Sequence, residues 1–373
     1  MRLSIDIHAT DGRARTGSIT TRRGVLPTPL FMPVGTRAAV KALDTADLEA
    51  LQIPLVLGNT YHLMLRPGAD LIAHLGGLHR FMDWDGHLLT DSGGYQIFSL
   101  EPKVTDDGAR FRSTYDGSTH QLTPEGAAEI QSKLGADIQM VLDVCPPLPS
   151  SPGVVRAAVD RTAAWGRRGR GAFLAGASSR EDRGLEQAQF GIVQGGVDLA
   201  LRAQSAQQTV ETAFDGYAIG GLSVGEPREQ MLPALAAALE HLPEDQPRYL
   251  MGVGDPASLV EAVALGVDLF DCVLPTRHAR HGTVLTSEGR LMIKNLAYER
   301  DEGPLDASCG CWVCGRYTRA YLRHLHRLGE PTAARLLSIH NVVWLSDLVI
   351  GLRSAIADGR FEERRRSVLA IWA

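Results

Sequence analysis

Short apolar runs recur along the chain, and each ends in an acidic residue, a glycine or an amide. After most runs comes a stretch whose apolar positions follow helical spacing. Alternating strands and helices with short links predict parallel βαβ units. Gly282–Thr286 is a candidate for an eighth strand, and the seven clearer runs are Pro54–Thr60, His87–Gly94, Ile138–Asp143, Phe190–Gly196, Tyr217–Leu222, Tyr249–Gly254 and Val267–Asp271.

The segments between these runs predict amphipathic helices. Thr123-Pro124 and Asp255-Pro256 are typical helix starts, because an N-cap residue precedes a proline in the first turn. The predicted helices are Pro124–Leu134, Val154–Arg168, Asp198–Ala213, Arg228–His241 and Pro256–Leu265.

The position of the polar residues separates two kinds of α/β fold. In a closed barrel, the C-terminal ends of all strands converge on one face, where catalytic residues come from several strands. An open doubly wound sheet gathers such residues at one switch point instead. The fold predicted here is a (β/α)8 TIM barrel, since polar or glycine residues end six different runs: Asp91, Asp143, Gln194, Gly221, Gly254 and Asp271.

Further parts are expected around this barrel. Ile5–Pro33 predicts short strands with turns at Asp11-Gly12 and Arg23-Gly24, forming a hairpin lid under the barrel. Gly169–Glu186 is predicted to be a flexible connection. We expect the barrel and its lid to occupy residues 1–295, an inserted structural zinc-binding subdomain to occupy 296–345, and a C-terminal helix that packs back on the barrel to occupy 346–373.

Composition narrows the class of protein. The chain has 373 residues, of which 44% are hydrophobic and 22% charged, and this is ordinary for a soluble globular protein. The net charge of −5 means that any contact with nucleic acid would need a local basic face. Because the N-terminus lacks an apolar signal region and no run approaches the ~20 apolar residues of a membrane span, we expect a cytoplasmic protein without membrane contact.

Three closely spaced cysteines give the sharpest chemical signal. Cys309, Cys311 and Cys314 need one further ligand to complete a tetrahedral zinc site. His324 and His326 are candidates on a basic helix, but His340 follows an apolar helical segment that can aim it at the thiols. We favour His340, and a Cys3His set without an open position indicates a structural site. The alternative is three reduced cysteines.

Two acidic strand ends are candidates for catalysis. Asp271 lies where an apolar run gives way to a turn and a basic segment containing Arg277 and Arg280. Asp91 precedes two glycines and Tyr95, which suits a flat ligand that stacks on the ring while the carboxyl group exchanges a proton. The simpler interpretation is that each aspartate caps a turn.

Other strand ends are suited to reading a heterocycle. Gln194 is followed by two glycines, and Gly220-Gly221 begins another glycine turn, so amides and backbone groups are available to donor and acceptor edges. Neither segment has the lysine or spacing of a common phosphate-binding loop. Asp143 either accepts from ring N–H groups or caps a turn. Met251 is a core methionine unless it forms the second face of a sandwich with Tyr95.

Taken together, the motifs resemble those of the bacterial tRNA-guanine transglycosylases of queuosine biosynthesis, and they extend in one order from Phe31 to Asn341. The matching stretches are FMPVGT, GNTYHL, DSGGYQ, GIVQGG, GGLSVGE, YLMGVG, FDCVLPTRHARHG, CGCWVC and the dipeptide HN. This resemblance implies exchange of the wobble guanine in tRNAs with GUN anticodons for 7-aminomethyl-7-deazaguanine. It also implies a homodimer that associates through the zinc region.

The resemblance also implies roles for individual residues. Asp271 corresponds to the nucleophile and Asp91 to the general acid/base, which places a covalent ribosyl intermediate on Asp271. Arg277 and Arg280 correspond to residues near the anticodon loop of tRNA. The zinc ligands implied are Cys309, Cys311, Cys314 and His340, and the base-binding residues implied are Asp91, Ser92, Tyr95, Asp143, Gln194, Gly221, Leu222, Glu226 and Met251.

This chain departs from the family pattern at Val144, where an acidic residue is common, and at Asp255, where a neutral or basic residue is more usual. Two other functions are alternatives to this one. One is a barrel enzyme acting on a free nucleoside or sugar phosphate, with a purely structural zinc site. The other is a catalytically inactive RNA-binding paralogue, against which the presence of both Asp91 and Asp271 argues.

Overall fold

Eight parallel strands close into a barrel in which each strand pairs with the next one along the chain, and the last pairs with the first. The computed structural model describes residues 3–147 and 149–373. The barrel strands are largely buried and apolar, as expected for parallel strands that are covered by helices outside and packed side chains inside. In chain order they are Leu30–Gly35, Leu55–Gly58, His87–Thr90, Ile138–Met140, Ala188–Val193, Gly216–Ile219, Arg248–Leu250 and Leu269–Cys272.

The strands are β1 (Ile5–Asp11), β2 (Ala14–Thr21), β3 (Gly24–Thr28), β4 (Leu30–Gly35), β5 (Leu55–Gly58), β6 (His87–Thr90), β7 (Lys103–Val104), β8 (Ala109–Arg112), β9 (Thr119–Leu122), β10 (Ile138–Met140), β11 (Ala188–Val193), β12 (Gly216–Ile219), β13 (Arg248–Leu250), β14 (Leu269–Cys272), β15 (Thr283–Thr286) and β16 (Gly289–Met292).

The α-helices are α1 (Thr45–Ala50), α2 (Thr60–Leu65), α3 (Ala69–His74), α4 (Leu78–Met82), α5 (Gly94–Phe98), α6 (Pro124–Leu134), α7 (Pro152–Ala175), α8 (Ala177–Asp182), α9 (Leu199–Glu211), α10 (Arg228–Leu239), α11 (Pro256–Ala264), α12 (Leu274–Arg280), α13 (Arg319–Arg327), α14 (Pro331–Ala357) and α15 (Phe361–Trp372), with a 3-10 turn at Leu296–Tyr298.

The predicted barrel is confirmed, but the candidate eighth strand is wrong. Gly282–Thr286 contributes β15, which pairs antiparallel with β16 in a separate hairpin. The remaining barrel strand is β4, which lies between β14 and β5. Its parallel pairing with β14 runs from Leu30 opposite Leu269 to Pro33 opposite Cys272. The first four residues of β4, Leu30 to Pro33, fall within Ile5–Pro33, the segment predicted to form the hairpin lid.

The remainder of the predicted lid is a three-stranded sheet, β1-β2-β3, whose turns lie where they were predicted. Arg15 joins this sheet to the barrel: its Nε and Nη2 atoms donate to the two carboxylate oxygens of Asp268, at 2.9 and 2.5 Å. Both side chains are buried. Removal of one partner from such a buried pair typically costs about 3–5 kcal/mol of stability.

The segment predicted to be a flexible connection is mostly helical. Helix α7 continues to Ala175, and α8 begins at Ala177. Phe173 is buried, and Arg180 lies over its ring with the guanidinium carbon 3.8 Å from the ring centroid. This buried cation–π contact holds the segment in the fold, although its glycines and charges resemble those of a linker.

Helix α14 connects the cysteine-containing region with the barrel. Among the described residues, it is the one helix long and apolar enough to cross a membrane, and 61% of that apolar window is buried within the fold. Its buried side chains include Leu336, His340, Asn341 and Leu345. The helix packs against α12, β4 and β15, as a core helix does.

Candidate active site

Six of the residues predicted for the site follow or end barrel strands, so the fold places all of them at the C-terminal face. Catalytic groups of barrel enzymes lie at this face. Going around the barrel, the residues are Asp91 after β6, Asp143 after β10, Gln194 after β11, Gly221 after β12, Met251 after β13 and Asp271 within β14.

Asp271 is held through one of its two carboxylate oxygens. Its Oδ1 atom accepts a 2.6 Å hydrogen bond from the hydroxyl of Tyr249 and a 2.7 Å bond from the backbone N–H of Gly252. Among the described residues, none donates to Oδ2. Burial raises the pKa of Asp271, while the two donors act in the opposite direction. The second oxygen is therefore available for contact with a ligand.

Asp91 has a different environment and accepts three hydrogen bonds. Its Oδ1 atom accepts from the backbone N–H groups of Thr60, at 2.7 Å, and Gly93, at 3.2 Å, and its Oδ2 atom accepts from Nδ2 of Asn59, at 2.6 Å. Burial, together with the charges of Asp271 and Asp143, raises the pKa of Asp91 to about 7 despite these donors. A carboxyl group with this pKa can both give and take a proton near neutral pH.

Asp143 occupies the adjacent strand end and is almost fully buried. It accepts a 2.7 Å hydrogen bond from Nε2 of Gln194 and a longer one, 3.4 Å, from Oγ of Ser92. Burial raises its pKa to about 6. Oε1 of Gln194 is buried and has no hydrogen-bond partner among the described residues. A ligand N–H group would satisfy this acceptor.

The glycine turn after β12 lies directly against Gln194. A Cβ atom at Gly221 would lie 2.2 Å from Oε1 of Gln194, and the backbone there has φ of +63°, so both space and conformation require glycine. Arg202, fully buried on α9, donates 2.7 and 2.9 Å hydrogen bonds to the carbonyls of Gly220 and Gly221. Arg202 therefore fixes the orientation of this turn.

The other predicted ligand-binding residues are placed less uniformly. Leu222 is buried beside the glycine turn, and Met251 is partly buried against the barrel core. Tyr95 lies on α5 immediately after Gly93-Gly94, with 62% of its surface exposed. The carboxylate of Glu226 accepts hydrogen bonds from the backbone N–H groups of its own turn, at Ser223 and Val224.

Arg277 and Arg280, predicted to contact RNA, lie exposed on α12, which follows β14 at the same face. Arg280 donates to the carbonyl of Thr276, one turn earlier in the helix, at 3.1 Å. Both arginines therefore lie on the helix that follows Asp271 in the chain, at the C-terminal end of β14.

The predicted metal ligands form a compact cluster between the segment that follows β16 and helix α14. One ligand atom from each of the four residues lies within 4.8 Å of the others: Cys309, Cys311, Cys314 and His340. Nε2 of His340 is 2.8 Å from the carbonyl oxygen of Leu285, so this nitrogen carries the proton. Nδ1 then faces the sulfur of Cys314 at 3.2 Å. A backbone partner that fixes the histidine tautomer is usual around a bound metal ion.

Sequence reasoning did not assign roles to Tyr249, Asn59, Thr60 and Arg202. Asn59 and Thr60 directly follow β5, so the strand-end rule used for the aspartates would also have found them. Tyr249 and Arg202 have no such signal, because one lies within an apolar strand and the other on an amphipathic helix. Their contacts depend on which strands and helices become neighbours.

The fold and the site define a (β/α)8 barrel enzyme with two neighbouring carboxyl groups of raised pKa, a hydrogen-bonding pocket for a flat polar ligand, and a separate Cys3His metal-binding cluster. Comparison with known proteins identifies the family. The sequence model described as queuine tRNA-ribosyltransferase matches residues 10–373.

Curated relatives named queuine tRNA-ribosyltransferase resemble the chain along almost its full length. The protein of Novosphingobium aromaticivorans is 52% identical over 362 residues, which cover 96% of each chain. The protein of Nitratidesulfovibrio vulgaris is 49% identical over 371 residues, covering 99% of this chain and 97% of the relative. The chain belongs to the queuine tRNA-ribosyltransferase family, which confirms the predicted resemblance.

Proposed function

We propose that this enzyme is a tRNA-guanine transglycosylase of queuosine biosynthesis. It exchanges the guanine at the wobble position of tRNAs with GUN anticodons, those for Asp, Asn, His and Tyr, for 7-aminomethyl-7-deazaguanine. The observation that carries the proposal is the pairing of two carboxyl groups with different environments. Asp271 presents one oxygen without a protein donor, while Asp91, with a pKa of about 7, can exchange a proton.

In the first displacement, Oδ2 of Asp271 attacks C1′ of the ribose, and the bond from C1′ to guanine breaks. An oxocarbenium-like transition state leads to a covalent ribosyl ester on Asp271. The leaving base takes the electron pair of the broken bond, and Asp91 gives it a proton. The hydrogen bonds from Tyr249 and Gly252 hold Oδ1 so that Oδ2 faces the sugar.

The second displacement reverses these events with the new base. Asp91, now ionised, removes a proton from the incoming deazaguanine, whose nitrogen attacks C1′ and releases Asp271. Two inversions retain the β configuration at C1′. Because both bases use one pocket, guanine must leave before the deazaguanine binds, and ping-pong kinetics follow.

The pocket recognises the base through its edge. We assign the N–H groups of the base to the carboxylate of Asp143, which Ser92 and Gln194 orient, and its acceptors to backbone groups at Gly221 and Leu222. The unpartnered Oε1 of Gln194 supports a ligand with N–H donors at this place.

Three further residues are assigned to the faces of the bound base and to the aminomethyl group of the deazaguanine. We assign Tyr95 and Met251 to the two faces of the base, where they would offset the few kcal/mol lost when the base leaves the anticodon stack. The exposure of the Tyr95 ring supports this assignment, because the ring is accessible to a ligand. We assign Glu226 to the region near the aminomethyl group.

We assign one structural Zn²⁺ ion to the Cys3His cluster. Three thiolates and one imidazole are the donors that Zn²⁺ prefers, and four such ligands complete a tetrahedral site without an open position for substrate. The ion would hold the segment around Cys309–Cys314 against α14. The ion would stabilise the fold of this region, and it would take no part in the reaction between Asp91 and Asp271.

We assign Arg277 and Arg280 to contacts with the anticodon loop of tRNA.

We also propose a homodimer that associates through the zinc region. The exposed side chains of Trp312 and Tyr321 support a protein interface there. The proposed enzyme is cytoplasmic. Its proposed parts are the barrel with its lid, 1–295, the zinc subdomain, 296–345, and a C-terminal part, 346–373, which holds the end of α14 and all of α15 rather than the single helix predicted.

Incubation of the purified enzyme with tRNA-Tyr carrying labelled wobble guanine tests this function. We expect release of label when the deazaguanine is added, and a protein–tRNA adduct that survives denaturing electrophoresis. Asp271→Asn should abolish both the adduct and the exchange, whereas Asp91→Ala should abolish turnover and leave tRNA binding intact. Full exchange by Asp271→Asn, or turnover of free guanosine without tRNA, would contradict the proposal.

A further inference from the structure

Two arginine side chains lie over one aromatic ring at the C-terminal face of the barrel. Tyr115 belongs to the loop between β8 and β9, and the guanidinium carbons of Arg37 and Arg66 lie 5.3 and 4.8 Å from the centroid of its ring. The hydroxyl of Tyr115 is 2.8 Å from Nδ1 of His62. We call Arg37, Arg66, Tyr115 and His62 the arginine–tyrosine cluster.

The positive charge of this cluster is available to a ligand. Both arginines are exposed, and among the described residues neither has a carboxylate oxygen within 4.0 Å. The nearby carboxylate of Asp116 is fully exposed and is hydrogen-bonded to Ser118. Stacking on Tyr115 limits the freedom of both long side chains, so less conformational entropy is lost when they bind an anion.

The order of the barrel strands places this cluster on a particular side of the site. The proposed base-binding residues follow β10, β11, β12 and β13, which form one arc of the barrel. The other arc runs from β14, which carries Asp271, through β4 and β5 to β6, which precedes Asp91. Arg37 follows β4, and Arg66 follows α2, which itself follows β5. In order around the barrel, Arg37 and Arg66 therefore follow strands that lie between those of the two carboxylates, on the arc opposite the base pocket.

A nucleotide bound in the site must extend over both arcs. If its base occupies the β10–β13 arc and its C1′ atom lies between Asp91 and Asp271, its sugar and the phosphates attached to it must lie over the β14–β6 arc. Positive groups there meet the phosphate backbone, which supplies most of the affinity of proteins for nucleic acids. The overall charge of −5 gives no general attraction, so local groups must provide it.

We propose that Arg37 and Arg66, whose guanidinium groups lie over the ring of Tyr115, bind backbone phosphates of the RNA strand next to the nucleotide whose base is exchanged. This inference rests on the proposed function, since it takes the base pocket and the two carboxylates as the reaction centre. The arginines are positioning residues rather than catalytic ones. Tyr115 is hydrogen-bonded to His62 of α2. The N-cap residue of the same helix, Asn59, donates to Asp91, so α2 contacts both the proposed phosphate site and the proposed proton donor.

Salt-dependent binding of tRNA tests the proposal. We expect Arg37→Ala and Arg66→Ala each to weaken tRNA binding about 3- to 30-fold at low salt, and the double variant to weaken it further. Each lost phosphate contact should reduce the slope of log affinity against log salt concentration by about 0.7–0.9. At saturating tRNA, kcat and the KM for free base should be unchanged, because the base pocket is intact.

Matched variants exclude a general effect of charge or folding. Arg167→Ala removes the same charge from an exposed position on helix α7, outside the face, and should leave the salt slope unchanged. Arg37→Lys combined with Arg66→Lys should restore most of the slope because charge is kept. Tyr115→Phe, which retains the ring, should bind almost as well as the parent, and Tyr115→Ala should bind more weakly.

The outcome separates this inference from the proposed function. Normal guanine exchange by the double alanine variant, with unchanged tRNA affinity and salt slope, would overturn the phosphate site and leave the transglycosylase intact. Loss of kcat without a change in tRNA affinity would also overturn it, since it would indicate a role in chemistry or folding. Absence of exchange in the parent enzyme would contradict the proposed function itself.

Discussion

The hydroxyl of Tyr249 donates a 2.6 Å hydrogen bond to Oδ1 of Asp271 across two neighbouring barrel strands. Tyr249 is fully buried, and its backbone pairs with Leu269, two residues before Asp271. The tyrosine therefore fixes the carboxylate from a rigid position. It also favours the ionised form of Asp271, which a nucleophile requires, against the effect of burial.

We predict that Tyr249→Phe lowers the rate of covalent tRNA trapping by about 10- to 100-fold with little change in tRNA binding, because one donor to a charged group is worth about 1.5–3 kcal/mol. The pKa of Asp271 should rise, so the variant should recover part of its rate as pH increases. Rapid-quench measurement of adduct formation at several pH values checks this. An unchanged rate would mean that Gly252 alone positions Asp271.

The pKa values of two other carboxyl groups predict the pH dependence of exchange. Asp91, raised to about 7 by burial and by the neighbouring charges of Asp271 and Asp143, must be protonated to release the base. Asp143, raised to about 6 by burial, must be ionised to accept from the base. We expect kcat/KM to be greatest between about pH 6 and 7, falling by up to about tenfold per pH unit on either side. Asp143→Asn should raise the KM for free base and weaken the acidic limb, leaving the part that comes from ionisation of Asp271, whose pKa burial also raises.

The same two groups link pH to stability. Their pKa values are raised from 3.8 in the unfolded chain, so the folded enzyme binds more protons than the unfolded one between about pH 4 and 7. Their contribution to the free energy of unfolding is full below about pH 4 and is lost as pH rises toward 7. Thermal melts of the parent and of Asp91→Asn should converge at low pH and differ at pH 8, with the variant more stable there.

Arg202 is a buried cation whose hydrogen bonds all go to backbone carbonyls, at Val193, Gly196, Gly220 and Gly221. We predict that Arg202→Lys raises the KM for free base about tenfold, because a single ammonium group cannot span carbonyls on two turns. Tight binding of tRNA should remain. Guanine exchange with labelled free guanine measures this KM, and an unchanged value in a folded variant would show that the turn keeps its shape without the guanidinium group.

Loss of one cysteine should separate the metal cluster from the reaction site. We predict that Cys311→Ser lowers the zinc content from about one ion per chain to nearly none and exposes the segment around Cys309–Cys314 to protease. Cys145→Ser is the matched control, because Cys145 lies outside the cluster and should leave the metal content unchanged. Full zinc content in Cys311→Ser would contradict the ligand assignment.

Much of the barrel was predictable because strand ends and helix starts are local signals. Seven barrel strands and five helices were predicted near their observed positions, and the spacing of the cysteines with His340 identified the metal cluster. The eighth strand was not, since Pro33 and the preceding turns give Leu30–Gly35 the pattern of a lid strand. Its barrel position comes from pairing with Asp271 and its neighbours, more than two hundred positions later in the chain.

The sequence by itself determined which residue types end the strands, and therefore which carboxylates, amides and glycines meet at one face. That follows from the geometry of parallel βαβ units, which requires no knowledge of side-chain contacts. Only the tertiary structure decided how those groups are tuned. Three features depend on burial and on neighbours distant in sequence. They are the raised pKa of Asp91, the hydrogen bond from Tyr249 to Asp271 and the hydrogen bond from Arg202 to the carbonyl of Gly221. Desolvation and hydrogen bonding are properties of packed surroundings, which a linear pattern does not encode.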